Sequence, residues 1–255
     1  MKFGSITTGV IADGLVCNFD AANRASYPVQ RTLTIAESGS CYNTLDLTQS
    51  GSFISDPEFI TQPTSASCWA FDGVDDKIYT NASFDNNFTL SAWINCDGTY
   101  TAWQPRYALG ITPTHSSLPN ATIGRLYSVA ANLYVGLQLY DTAGANFSTY
   151  HVQVKMDGAG WKHCVWTFNN TTKAIYFYLD GVAQTWTHWG GVITSAYLTA
   201  PGYSYNNALT IGNTYRVGWT AYYFEGKVGN AQIYNRVLSP SDVLHNYNAL
   251  KGRFI

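Results

Sequence analysis

Charge is the scarcest property of this sequence. Lysine, arginine, aspartate and glutamate make up 12% of its 255 residues, and the formal net charge is -2. That is about half the charged share usual in globular domains. Proteins that grip nucleic acid carry a basic stripe or cluster. None is present, so a nucleic-acid partner is not expected. No apolar run approaches the roughly 18–20 residues that span a bilayer, so membrane insertion is not expected. The opening Met1-Lys2-Phe3-Gly4-Ser5 has one positive charge but no apolar stretch behind it, and Asp13 interrupts the first apolar run. A secretory signal needs both features, so synthesis in a cytoplasm without a signal peptide is expected.

The residues of common active sites are equally sparse. The glutamates are Glu37, Glu58 and Glu225, far apart in sequence. A glycoside hydrolase of the retaining kind needs two carboxyls about 5 Å apart across one bond, and no strand carries an E-x-D-x-E pattern. His115, His151, His163, His188 and His245 are scattered, without H-x-H or H-x-x-x-H spacing. No glycine-rich phosphate loop or nucleophile elbow occurs. The expectation is a protein that is not an enzyme and has no cofactor. The cysteines are Cys17, Cys41, Cys68, Cys96 and Cys164. With no CxxC pair a zinc site is not expected. Cys17, Cys68 and Cys164 lie in apolar strand-like runs and read as small buried hydrophobes in the reduced state. A Cys41–Cys68 disulfide is the alternative.

What the sequence has in quantity is aromatic and neutral polar residues. It holds 19 Tyr and 8 Trp, a composition suited to strands joined by polar loops. Period-two alternation recurs. It predicts strands over Gly14–Phe19, Trp69–Phe71, Lys77–Thr80, Phe88–Ile94, Arg106–Thr112, Arg125–Ala130 and Leu133–Leu139. It continues over Tyr150–Lys155, Lys162–Phe168, Ala174–Leu179, Ala208–Gly212 and Tyr222–Tyr234. Asp72 to Asp76 and Asp180-Gly181 read as hairpin turns. Residues 20–67 carry few clean strands, and 97–122 and 186–206 read as loops. One helix is expected at the end. Ser239 is its N-cap, Pro240 its first residue and Asp242 its N-terminal acid. Val243, Leu244, Tyr247 and Leu250 form its apolar stripe, and Gly252 its stop. About a dozen strands and one helix predict an all-β fold, a two-sheet antiparallel β-sandwich or jelly roll with a short C-terminal helix.

Several segments resemble one family. Phe71-Asp72-Gly73-Val74-Asp75-Asp76, Trp161-Lys162-His163, Ile175 to Gly181, Leu209-Thr210-Ile211-Gly212 and Phe224 to Ser239 are similar, in order, to laminin-G-like domains of the concanavalin A-like lectin/glucanase superfamily. They span roughly 68–250. The resemblance implies a concanavalin A-like jelly roll filling 14–255, with residues 1–13 as an N-terminal arm suited to strand addition on a neighbour. Asp20-Ala21-Ala22-Asn23 with Ser26-Tyr27-Pro28, and Asn246 to Phe254, resemble the ends of phage-encoded members. Those members are virion proteins of tailed phages. The resemblance therefore implies a capsid-surface decoration protein or tail or fibre appendage on the virion surface. Its partners would be other virion proteins, with homo-oligomerisation as an option. The family's usual W-x-D-L-S-G-N-G-N turn is reduced here to Tyr42 through Thr48. The fold also implies an alternative, a lectin-like module for host-surface glycans.

Aromatic residues in the loop-rich regions are the binding candidates under either reading. Trp103, Tyr107, Trp186, Trp189, Tyr203, Tyr205 and Trp219 offer rings that stack on sugars or anchor a protein interface. Asp72, Asp75 and Asp76 are the oxygen-rich cluster that calcium would use, although Asp is also the residue that closes turns through its own backbone.

Overall fold

In a computed structural model of the protein, the described residues are 9–23, 40–42, 50–54, 58–60, 67–80, 87–96, 106–112, 121–123, 127–129, 132–140, 147–153, 160–172, 174–188, 208–213 and 223–255. Their strands, in chain order, begin with β1 (Leu15–Asp20), β2 (Ser40–Tyr42), β3 (Ser50–Ile54), β4 (Glu58–Ile60), β5 (Cys68–Asp72) and β6 (Lys77–Thr80). Next come β7 (Phe88–Asn95), β8 (Leu109–Thr112), β9 (Ala121–Ile123), β10 (Tyr127–Val129), β11 (Asn132–Tyr140) and β12 (Phe147–Gln153). The last are β13 (Trp161–Asn169), β14 (Ala174–Leu179), β15 (Val182–Gln184), β16 (Thr187–His188), β17 (Ala208–Ile211) and β18 (Glu225–Tyr234), followed by helix α1 (Pro240–Phe254).

Among the described residues these strands form two antiparallel sheets. The first runs β15-β14-β13-β7-β18-β5-β4, with β1 also on β18. The second runs β16-β12-β11-β9-β8-β17-β6-β3-β2, with β10 also on β11. Since β7 holds one edge of β18, β5 and β1 share its other edge end to end. Residues 225–228 pair with β5, and 230–234 with β1. Gly229 lies between them, where the β18–β7 register shifts.

Alternation decides what lies between the sheets. Phe88, Leu90, Ile94, Trp166, Phe168, Phe177, Trp69 and Phe71 project inward from the first sheet, and Ile78, Leu109, Val135, Leu137, Leu209 and Ile211 from the second. The core described here is thus aromatic on one side and aliphatic on the other. Cys17, Cys68, Cys96 and Cys164 are buried and keep their thiols. Cys68 is therefore not in a disulfide, and the expected role of small buried hydrophobe holds for Cys17, Cys68 and Cys164.

Much of the other face of the first sheet is also buried, beneath α1, although Tyr176 at its β14 side is exposed. Three rungs cross it. Thr167, Thr89 and Tyr234 form one; Val165, Ser91, Gln232 and Asn18 the next; His163, Trp93, Asn230 and Asp20 the third. The helix begins as expected. Ser239 Oγ accepts from the Asp242 N–H while the Asp242 carboxylate accepts from the Ser239 N–H, a reciprocal capping box. Burial tends to raise the Asp242 pKa, but its bonds from Arg236 and Ser239 prevail and hold it below the usual carboxylate range.

Two expectations for α1 need correction. Leu244 is 45% exposed, whereas Asn246 is buried in its place. Asn246 donates to Tyr234 Oη at 2.8 Å and accepts the Ile11 N–H at 2.8 Å. Gly252 does not stop the helix, which continues to Phe254. Tertiary contact holds that last turn. Arg253 makes two bonds, 2.7 and 2.8 Å, to the Asp20 carboxylate, and the Phe254 ring stacks on Trp93 at 4.5 Å. Residues 9–13, the described part of the N-terminal arm, lie against the same helix. The Gly9 carbonyl is 2.8 Å from His245 Nε2, and the Asp13 carboxylate pairs with Arg236.

Candidate functional site

The turn between β5 and β6 carries the densest functional chemistry among the described residues. Asp72 ends β5, and its Oδ1 accepts the N–H groups of Val74, at 2.8 Å, and Asp75, at 3.4 Å. Asp76 Oδ2 accepts the Asp72 N–H at 2.9 Å. Gly73 occupies the left-handed region at φ +79°, and a Cβ there would lie 2.7 Å from Arg106 Nη1. The left-handed backbone is what favours glycine here. Arg106 ties the turn to the strand entering from the other side, donating to the carbonyls of Gly73 at 2.7 Å and Tyr223 at 3.0 Å. The β18 register sets Glu225 opposite Asp72. The Lys77 ammonium lies 5.7 Å from the centre of the Tyr223 ring.

One oxygen from each of Asp72, Asp75 and Asp76 falls within 4.8 Å of the others. Asp72 and Asp75 are exposed and Asp76 is 5% exposed. Burial, then the neighbouring charges of Asp72 and Asp75, pushes the Asp76 carboxyl up to about 6, against the opposing bond from the Asp72 N–H. Hard oxygen donors of this kind suit calcium. Part of the set is already committed, because Asp72 and Asp76 hold main-chain N–H groups and Arg106 occupies the Gly73 carbonyl. The three carboxyls also sit on one turn instead of facing each other across a cleft, as a glycosidase pair must.

The aromatic candidates fare differently. Tyr107 is 5% exposed and belongs to the core. The strand it enters, β8, is an interior strand of the second sheet, so its ring has no open face for a sugar. This corrects its place among the exposed stacking residues. Trp186 is half-buried. Its ring packs against the core and its indole N–H donates to the Ile175 carbonyl at 2.9 Å, closing the sandwich at β14. Trp103, Trp189, Tyr203, Tyr205 and Trp219 lie outside the described residues.

Sequence alternation assigns no role to the face under α1, yet polar and aromatic groups converge there. Asn18 Oδ1 accepts from Asn230 Nδ2 at 2.9 Å and from Gln232 Nε2 at 3.2 Å. His163 Nε2 lies 2.9 Å from Ser91 Oγ. The only sequence signal was His163 itself, at an alternate position in an apolar strand.

This architecture and its motifs agree with a match to the profile of the concanavalin A-like lectin/glucanases superfamily over residues 72–244. The chain belongs to that superfamily. Solved structures show how widely the sandwich is shared. One is botulinum neurotoxin type C, which enters cells in dependence on interaction with two ganglioside molecules. It is 13% identical, with a TM-score of 0.62 over 93% of this chain and 51% of the other. Trypanosoma rangeli sialidase, in complex with sialic acid, is 17% identical, with a TM-score of 0.60 over 96% of this chain and 34% of the other. Domain 4 of a GH43 extracellular arabinanase from Geobacillus stearothermophilus, in complex with arabinotriose, is 16% identical. Its TM-score is 0.53, over 91% of this chain and 98% of that domain. The chain spans about half the length of the toxin chains it matches. At these identities the likeness is one of fold. Among curated protein sequences, none matches this chain significantly.

Proposed function

We propose that this chain is a non-catalytic recognition domain whose ligands are carbohydrates. The observation that carries the reading is the fit of the chain to an arabinanase domain captured with arabinotriose, a neighbour that the chain covers almost end to end. The aromatic wealth of the sequence supports it, since neutral hydrogen-bonding rims and aromatic faces suit sugars better than charged ligands do. The carboxyl groups of the 72–76 turn support a role without catalysis, because they brace backbone where a hydrolase needs opposed acids. The test is a glycan array followed by calorimetry with arabinotriose, sialyllactose and ganglioside headgroups, each with and without calcium. Saturable binding to one class, with no release of reducing ends, is the expected result. Background signal across all classes overturns it.

A second reading concerns where the domain works. We infer a phage virion surface, as a capsid decoration or a tail or fibre appendage held by protein–protein contacts. The residues that resemble phage-encoded members favour it, because the two ends of that resemblance act together. Asp20 of the first segment and Arg253 of the last form one two-bond clasp. Mass spectrometry of purified particles is the test; absence of the chain from them removes this reading and leaves carbohydrate recognition standing.

A further inference from the structure

The His163 ring lies under α1, fully buried. It forms a group of near-parallel rings with Trp93, centroid distance 5.1 Å, and with Tyr247 of the helix, 6.1 Å. Trp93 and Tyr247 are themselves 5.7 Å apart. Ser91 Oγ meets Nε2, but Nδ1 has no hydrogen-bond partner among the described residues. A neutral imidazole can leave one nitrogen as a bare acceptor. An imidazolium must donate from both, so protonation would leave a buried N–H with no acceptor among the described residues.

The charged and titratable neighbours do not supply the missing partner. On β13 itself Lys162 is cationic and pairs with Asp180 at 2.9 Å. Asp180, in the turn after β14, is the nearby carboxylate. It accepts the His163 backbone N–H at 3.0 Å and stabilises the imidazolium only at a distance. From β7 the neighbours are Ser91 and Trp93, and from β18 Asn230, all uncharged in this range. Asp20 of β1 is engaged by Arg253. From α1 come Tyr247 and Lys251, whose ammonium lies 5.5 Å from the Tyr247 ring centre. The other charged or titratable side chains on the described helix are Asp242, held by Arg236, His245, set against Gly9, and Arg253. Asp180 alone favours the imidazolium, and burial outweighs it, pulling the His163 pKa down to about 4.

We propose that His163 makes the docking of α1 onto the sheet acid-labile, so that the C-terminal half of the helix lifts as His163 takes up a proton. The helix yields before the strands because β13 is hydrogen-bonded on both sides, to β7 and β14. The helix meets the sheet mainly through side chains. Lifting Tyr247 and Phe254 opens Nδ1 to water without breaking a ladder.

An undocked His163 titrates near the ordinary imidazole value of 6.5, and the docked one near 4. The docking contribution is complete above 6.5, falls as pH drops toward 4, and falls no further below that. At pH 4.5 docking should be weaker by a few tens-fold relative to pH 7.5.

The test is hydrogen–deuterium exchange of the intact chain, corrected for intrinsic rates. In the wild type, amides of 247–254 should lose a few tens-fold of protection between pH 7.5 and pH 4.5, while those of β7 and β13 keep theirs. His163→Phe, which keeps a ring in the stack, should abolish the loss. His163→Gln serves the same purpose if the Phe variant does not fold. Equal loss in these variants, uniform loss across the sandwich, or unchanged helix protection at pH 4.5 would each overturn the proposal.

Discussion

Replacing Asp76 by Asn should stabilise this protein at neutral pH, and the structure gives the size and pH window of the gain. The Asp76 carboxyl is buried beside Asp72 and Asp75, which raises its pKa to about 6 in the folded chain from the ordinary 3.8. A carboxyl whose pKa is raised in the folded state binds its proton more tightly there. Folding stability therefore rises as pH falls from 6 toward 3.8, and the ionised form is a cost above 6. At about 1.4 kcal/mol per tenfold change in affinity, the full gap is roughly 3 kcal/mol. Asp72 and Asp75 are exposed and their charges are screened by solvent, so about 1–2 kcal/mol should be recovered. Asn keeps an oxygen able to accept the Asp72 N–H, so the turn should remain closed. In a chain of this size the gain corresponds to about 3–6 °C in Tm. Differential scanning calorimetry of wild type and D76N at pH 8, 6 and 4 is the assay. The difference should be largest at pH 8 and close to zero at pH 4. A difference that does not change with pH, or a loss of stability at pH 8, would refute the electrostatic reasoning.

Three other outcomes follow from the helix clasp and the acid-sensitive face. Gly229→Ala places a Cβ 2.3 Å from Phe254 Cε1. It should cost about 1–3 kcal/mol by overpacking, and a G229A/F254A double mutant should lose little beyond F254A alone in urea melts. Arg253→Ala leaves Asp20, which is 7% exposed, without its two-bond partner. We expect a loss of about 2–4 kcal/mol, largely unchanged by 0.5 M salt, and a purely surface pair would instead show roughly 0–1. Acidification from pH 7 to 4.5 should change global stability little, because the His163 loss and the Asp76 gain occupy overlapping windows with opposite sign. Equilibrium denaturation across that range checks this, and a steep monotonic trend would contradict it.

Much of the first sheet was legible because its strands alternate. Phe88 to Ile94, Lys162 to Phe168 and Ala174 to Leu179 all fall in strands, and their inward positions match the core. The short strands β2, β3, β4, β9, β15 and β16 escaped notice. Runs of two to five residues are too short for period two to stand out, and their place is set by pairing with neighbours. β12 begins three residues before the predicted Tyr150, since Phe147-Ser148-Thr149 carries no clean pattern. The helix cap was readable because Ser-Pro-x-Asp is a local device. The extension past Gly252 was not, because it depends on Asp20 and Gly229, more than twenty residues away. The same limit hid the face beneath α1. Ser91, Asn230 and Gln232 read as outward positions in an alternating strand, and only the folded chain shows that outward here means under a helix. Tyr107 stands beside a loop-rich stretch of sequence, and only the folded chain shows that its ring is buried.

Carbohydrate recognition without catalysis stands or falls on titrating the purified domain with arabinotriose, sialyllactose and ganglioside headgroups in a calorimeter, while assaying the same mixtures for reducing ends. Saturable heat is expected for one of these classes, with no cleavage products. Flat titrations for every class, or the appearance of hydrolysis products, would rule it out.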